Sequence, residues 1–580
     1  MKKKLSLFIV SYCIWSSISL AQSIAPTYNS PPTFPNVRVM AEWEEIEALV
    51  VSWKSYSNVL TQIIKHAKEE CRVIVICDDA SLVVNYLNAF GVDTVNVEFI
   101  EDLYNTVWIR DYGAPTIYGN NVDSLYLVDW IYNRPRPLDD RVPKIISEHF
   151  DVPLFATTNL PYDLVHTGGN FMTDGQGTAF SSKLILEENG PFGAFNNSIR
   201  TEDGIDSIME GFMGIDRYIK TEMAQYNRIH HIDMYMKLLN EETLLVGEYP
   251  TGVADGPQIE ANIQYIQNNF NSVFGTPYNI IRVQMPPDTC GNYPDYNGTS
   301  CTSLSGGNYK GHYRTFTNLV FVNKTVLVPV YSWQYDTTAL RILEAQLPGY
   351  NIVGIDCDEM IGAGGALHCI TRGVGVRDPL LIVHQPFSGN MAIPNQDLPV
   401  IAKIQYRGLI QSAAVFYRTD TNQSFSSLPM TNYSGDYWEA ILPQQLANTT
   451  VQYYIKANSF SGKEQVRPIT APTGFWTFKT GINTSTNQEQ AIFDGISFNQ
   501  IYPNPAGDKV FCPIELKERE AVKVIIYNMQ GQLIDEVFSG QLPAGNSLLN
   551  ADISQLVNGT YLIVLKNSDT KLTQTLIIGK

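Results

Sequence analysis

The segment from Asn318 to Ile355 restricts the possible folds more than any other. Asn318-Leu319-Val320-Phe321-Val322 reads as a strand, Asn323-Lys324 as a short turn, and Val326-Leu327-Val328-Pro329 as a second strand. A helix is predicted around Thr338 to Gln346, and Asn351-Ile352-Val353-Gly354-Ile355 follows as a third strand. The first two strands are joined too tightly to be parallel, whereas the helix gives the third room to return parallel to the second. The result is a strand, strand, helix, strand module. Similar texture appears at Ala48–Trp53, a helix around Val59 to Glu70, and Val73–Ile76, and again at Thr243–Gly247 followed by a helix near Gln258 to Asn269. Residues 35 to about 392 therefore predict an α/β domain assembled from repeats of one unit.

Past Asp397 the pattern changes. Short strands such as Ala413–Tyr417, Tyr437–Ile441 and Val451–Lys456 are separated by turn residues, which predicts a small β-sandwich of immunoglobulin type over 397–480. Residues 481–497, rich in Asn, Thr, Ser and Gln, read as a linker, and 498–580 as a second all-β segment. At the other end, Met1-Lys2-Lys3-Lys4, an apolar run to Trp15 and a small residue at Ala21 read as a secretory signal peptide over 1–21. Three domains suit the length of 580 residues, and the net charge of −18 argues against a nucleic-acid partner. No later run is long and apolar enough to read as a transmembrane segment. Export puts the remaining cysteines in an oxidising compartment. Cys71 and Cys77 share one predicted strand, so they stand roughly 20 Å apart and cannot pair. Cys290 and Cys301 bracket a loop and are the expected disulfide, while Cys369 is the thiol expected to be free.

Four clusters in the α/β part carry chemistry: Trp108-Ile109-Arg110-Asp111-Tyr112, His230-His231-Ile232-Asp233, Asn318, and Leu367-His368-Cys369. A cysteine can attack an electrophilic carbon, two aspartates can hold a guanidinium through charge-assisted hydrogen bonds, and a histidine can protonate a departing amine and then activate water. If residues 231–233 are extended, His231 and Asp233 point the same way. After a strand that includes Leu125–Val128 comes Trp130-Ile131-Tyr132-Asn133-Arg134-Pro135-Arg136-Pro137, where each proline restricts the arginine before it. Stiffened arginines suit a fixed anion site, although a plain basic loop is the simpler reading.

The run W-x-R-D-Y, T-G-G-N-F-M-T-D-G (Thr167–Gly175), H-x-D, T-F-T-N and L-H-C resembles the Porphyromonas-type peptidylarginine deiminases and their agmatine deiminase relatives. The resemblance implies a pentein, an α/β-propeller of about five ββαβ modules. It implies Cys369 as nucleophile, His231 as general acid and base, Asp111 and Asp233 as holders of the guanidinium, and Asn318 as a polar partner in the same site. Trp108 would line the substrate, and Arg134 and Arg136 would grasp the carboxylate of a C-terminal arginine in a peptide or protein. The product would be citrulline, reached through a covalent thiouronium, with no cofactor and no metal. Two features depart from the family: Arg228 stands where a tyrosine is expected, and the loop from Asp288 to Gly311 is atypical. Tyr502-Pro503-Asn504-Pro505 and the β segment after it resemble the type IX secretion sorting domain, which implies that secretion machinery as a partner and a secreted or cell-surface location. Three alternatives remain: an agmatine or free-arginine deiminase, a metal hydrolase using His230, His231, Asp233, His368 and Cys369, and a non-catalytic surface adhesin.

Overall fold

The computed structural model describes residues 25–195, 197–295, 311–387, 390–391, 398–480, 496–498, 501, 506–507, 509–528, 532–567 and 571–578. The expected signal peptide, most of the expected linker, Tyr502–Pro505 and Cys301 lie outside these residues. The chain divides into two compact units, one ending at residue 481 and the other covering 482–580.

The predicted module is present five times in the first unit. In each case an antiparallel strand pair is followed by a helix and a strand parallel to the second member. Val320–Val322, Thr325–Val330 and Asn351–Asp356 form the module first read from sequence, with the helix at Trp333–Gln346. The others place Met172–Thr173 with Thr178–Ser182 and Arg217–Thr221, Met236–Leu238 with Thr243–Glu248 and Asn279–Gln284, and Thr116–Gly119 with Ser124–Tyr132 and Leu154–Thr157. The fifth closes the set, because Arg372–Gly375, late in the chain, pairs antiparallel with Ile46–Ser52, which runs parallel to Arg72–Cys77.

Each helix follows from its sequence. Ser57–Ala67 buries Val59, Leu60, Ile63, Ile64 and Ala67, a helical stripe facing the sheet. Glu202–Met213 starts at Thr201, whose hydroxyl accepts from the Gly204 amide. It stops at Gly214, where φ is 66° and a Cβ would lie 1.8 Å from the Val37 carbonyl oxygen. Only glycine fits that turn.

The second strand of the sheet that contains the arginine loop runs to Tyr132, so Trp130, Ile131 and Tyr132 are strand residues and the loop starts at Asn133. Asp139 anchors the loop by accepting from the amides of Asn105 and Thr106 and from the Thr106 hydroxyl, while Asp140 accepts from the Tyr132 amide. The prolines are therefore one restraint among several.

The following all-β part consists of two sheets around Val400, Val415, Ile455 and Phe478. Its pairing already includes Leu381–Val383 against Lys403, Ile404 and Gln405 of Leu398–Gln405, so sheet formation begins ahead of the expected start at 397. This part is tied to the α/β part by the Arg467–Glu241 ion pair at 2.9 Å and the Lys463–Glu45 pair at 2.7 Å. In the second unit, Lys509–Leu516 buries alternate residues Val510, Cys512, Ile514 and Leu516, the period of a half-buried strand. Its partner Ile496–Phe498 is also a strand, which takes the last two residues from the expected linker.

Candidate active site

Short segments that immediately precede the first strand of each module supply the candidate site. Asp111 is in the turn Ile109–Tyr112, Gly169 in Gly168–Asn170, Asp233 in Ile232–Met234, and Cys369 in His368–Ile370. Asn318 stands two residues before Val320, so it lies ahead of the strand that it was expected to open. The five modules thus deliver five equivalent segments to one place.

Cross-links between these segments fix the geometry. Asn318 Nδ2 donates to Cys369 Sγ at 3.3 Å, and Asn318 Oδ1 accepts from the amides of Ala366 and His368 at 3.2 and 3.0 Å. Cys369 Sγ lies 3.7 Å from Asp233 Oδ2. His231 Nδ1 is 3.6 Å from Asp111 Oδ1, which accepts the Gly169 amide at 3.2 Å. All five predicted central residues are buried and adjoin one another. Residues 231–233 are not one extended segment: His231 is extended, with φ −82° and ψ 138°, but Ile232–Met234 is a turn of 3₁₀ helix. The two side chains meet at Gly169 instead, where a Cβ would stand 2.4 Å from His231 Nδ1 and 3.2 Å from Asp233 Oδ2.

The electrostatics of the site are set by burial and by its two carboxylates. Burial pushes the Cys369 thiol well above its ordinary range, and the facing Asp233 and Asp111 raise it further. Burial lowers His231, against the opposing pull of Asp111 and Asp233. Both ring nitrogens of His231 and Oδ1 of Asp233 are buried without a hydrogen-bond partner, and such atoms are costly unless a ligand completes them.

Trp108 and Arg134 border this centre, and Arg136 lies on the same loop as Arg134. Trp108 Cζ3 and Cys369 Sγ both lie within 3 Å of where a Gly365 Cβ would be, at 2.7 and 2.9 Å. Arg134 acts electrostatically on both His231 and Glu188, and its Nη1 donates to the Asn133 carbonyl at 2.7 Å. Arg136 Nη1 donates to the Tyr132 hydroxyl at 3.1 Å. Neither arginine is paired with a carboxylate among the described residues.

Sequence reasoning missed two residues, Glu42 and Glu188. Glu42 bonds His368 and Lys237 at 2.8 and 2.6 Å, and nothing in its local sequence marked it. Glu188 accepts from Asn133 Nδ2 at 2.6 Å beside the arginine loop. His230, considered as a metal ligand, has φ 57° and turns its Nδ1 to the Ala224 carbonyl at 3.0 Å. Among the described residues no three His, Cys, Asp or Glu side chains are placed to hold a metal ion. Cys71 and Cys77 are free, and Cys290 is disulfide-bonded.

A buried thiol, an imidazole and two carboxylates brought together in this way suit the chemistry of guanidine-processing hydrolases. Comparison with known proteins narrows this. The profile described as Porphyromonas-type peptidyl-arginine deiminase matches residues 38–374, and the chain belongs to that family. Its chemistry is hydrolysis at guanidino C–N bonds. Residues 500–579 match the secretion system C-terminal sorting domain, an address for export. A protein of Mycoplasma mycoides named "Putative agmatine deiminase" is 23% identical over 367 residues, which are 59% of this chain and 97% of that one. Agmatine deiminase of Pseudomonas syringae is 23% identical over 304 residues, 48% of this chain and 77% of its own. The solved agmatine deiminase of Enterococcus faecalis superposes with a TM-score of 0.50 at 17% identity, covering 61% of this chain and 100% of that one. Among the described residues no helix is long and apolar enough to cross a membrane.

Proposed function

We propose that the chain is an exported peptidylarginine deiminase that converts arginine, preferably C-terminal arginine, to citrulline and ammonium. The supporting observation is the pair Arg134 and Arg136. They lie on a loop fixed by Asp139 and Asp140, carry no carboxylate partner among the described residues, and Arg134 is close enough to act on His231. A peptide's terminal carboxylate would supply that partner through charge-assisted hydrogen bonds. Agmatine has no carboxylate. The second reading, an agmatine deiminase, draws on the names of the relatives.

In this account Asp111 and Asp233 receive the substrate guanidinium, and its positive charge offsets the two carboxylates that hold the Cys369 thiol protonated. The thiol then ionises, its proton passing to His231. Sγ bonds to the guanidinium carbon, and the C–N bond to one terminal nitrogen breaks as His231 returns the proton, releasing ammonia and leaving a cationic thiouronium. Water, deprotonated by His231, adds to the same carbon. The C–S bond breaks, citrulline forms, the thiol is restored, and the remaining proton leaves with ammonia as ammonium. Asn318 steadies the sulfur through Nδ2 at 3.3 Å, and Trp108 covers the entry. The five modules would be arranged as the propeller of the penteins, with an immunoglobulin-like sandwich after them. The chain would pass the inner membrane by the signal peptide at 1–21 and the outer membrane by the terminal domain.

The test is ammonia release from four substrates: a peptide ending in arginine, its C-terminal amide, free arginine and agmatine. The account expects the acid peptide to be preferred over its amide. Equal turnover of the two would remove the carboxylate clamp, and a clear preference for agmatine would favour the second reading. No turnover of any of the four would favour a non-catalytic surface protein.

A further inference from the structure

His368 sits beside the nucleophile, yet its ring cannot exchange protons with substrate. Nδ1 lies 2.7 Å from Asp233 Oδ2 and Nε2 lies 2.8 Å from Glu42 Oε1. Burial alone would raise Glu42, but His368, Lys237 and Arg110 outweigh it and hold the carboxyl well below its usual range. Both ring nitrogens are therefore engaged by carboxylate oxygens. His231 is the opposite case, with neither nitrogen engaged.

The bonding of Asp233 follows. Its Oδ2 is occupied by His368 and faced by the Cys369 thiol at 3.7 Å, whereas Oδ1 is buried and unpartnered. Glu42 is itself held, by Lys237 Nζ at 2.6 Å and by Arg110 Nη1 at 3.6 Å. Arg110 Nε also donates to the His368 carbonyl at 3.2 Å, and the His368 amide donates to Asn318 Oδ1 at 3.0 Å. Ring and backbone of His368 are thus fixed from opposite sides.

Building on the proposed guanidine chemistry, we infer that His368, gripped by Glu42, is a positioning residue that holds Asp233 with Oδ1 alone turned to the substrate guanidinium. Glu42, Lys237 and Arg110 form the mount of that residue. None of them touches substrate.

The experiment uses the full chain with His368→Gln, Glu42→Gln and the double variant, each checked by thermal unfolding. In a Cys369→Ala background, calorimetry measures binding of agmatine and of a peptide ending in arginine. The guanidinium is common to both ligands, so His368→Gln should raise both Kd values by the same factor, about 10-fold or more, as expected when a hydrogen bond to a charged group is misdirected. The double variant should be no worse than His368→Gln, since the two residues act as one unit. A residue that served stability alone would lower the melting temperature, leave Kd unchanged and give additive effects. Should His368→Gln not fold, Glu42→Gln alone carries the test, with the same equal rise expected.

A second readout needs no substrate. Releasing Asp233 Oδ2, which lies 3.7 Å from Cys369 Sγ, to turn toward the thiol should slow alkylation of Cys369 by iodoacetamide in His368→Gln at neutral pH. Unchanged Kd values and an unchanged alkylation rate in folded variants overturn the inference. Wild-type-like alkylation chemistry with no binding of either ligand to the Cys369→Ala protein would overturn the proposed function instead.

Discussion

Replacing Gly169 with alanine should abolish most turnover while leaving the protein folded. The residue does not adopt a left-handed backbone, so a side chain meets no conformational objection there. The obstacle is the site. An added Cβ would lie 2.4 Å from His231 Nδ1, 3.0 Å from Asp111 Oδ1 and 3.2 Å from Asp233 Oδ2, where ordinary contact begins at 3.4 Å. The imidazole must therefore retreat by 3.4 − 2.4 = 1.0 Å, and the carboxylates by a few tenths. A displacement of about 1 Å in a reacting group costs on the order of 100-fold in rate, or about 2.7 kcal/mol of barrier. Overpacking should cost about 1–3 kcal/mol of stability. Citrulline formation from an arginine-terminated peptide, with thermal unfolding as control, reads both. A folded Gly169→Ala protein with wild-type kcat would refute the convergence of His231, Asp111 and Asp233 on one substrate position.

The loop arginine, Glu188 and the Arg467–Glu241 pair give further outcomes. Arg134→Ala should raise KM for arginine-terminated peptides by about 10-fold or more and affect agmatine far less, as steady-state kinetics with both would read. Burial raises the Glu188 carboxyl to about 7, above its ordinary 4.5, despite Asn133 and Arg134. Between those values the native state holds a proton that the unfolded chain has lost, so Glu188 makes stability fall as pH rises through that window. Over the same range its growing charge competes for Arg134, so KM for such peptides should rise with pH, and Glu188→Gln should flatten that rise. Arg467→Ala would strand Glu241, whose side chain is 4% exposed. Stability should fall by about 3–5 kcal/mol, measured by denaturant unfolding, with kcat little changed.

Much of the architecture could be read before the structure, because the ββαβ unit has a signature at two levels. Strands such as Val326–Val328 and Val73–Ile76 are apolar throughout because both faces are covered, and the helices between them carry one apolar stripe. The central residues were legible because their types are chemically unusual together. Their convergence was legible only through the family resemblance, since spacing alone gives no sign that Asp111, Asp233 and Cys369, spread across 258 positions of sequence, are brought together by five repeats. The 3₁₀ turn at Ile232–Met234 was missed because a period-2 reading of three residues cannot distinguish an extended segment from a single turn. Glu42 and Glu188 were missed for a different reason. Their roles depend on partners at Lys237, His368 and Asn133, and a lone glutamate in a chain with 58 acidic residues carries no local mark.

Covalent attack by Cys369 is the central claim, and acid quenching during turnover followed by peptide mass spectrometry tests it most directly. With an arginine-terminated peptide as substrate, the tryptic peptide containing Cys369 should carry the mass of the substrate less ammonia, and Cys369→Ala should show neither adduct nor citrulline. Sustained citrulline formation by Cys369→Ala would contradict the account.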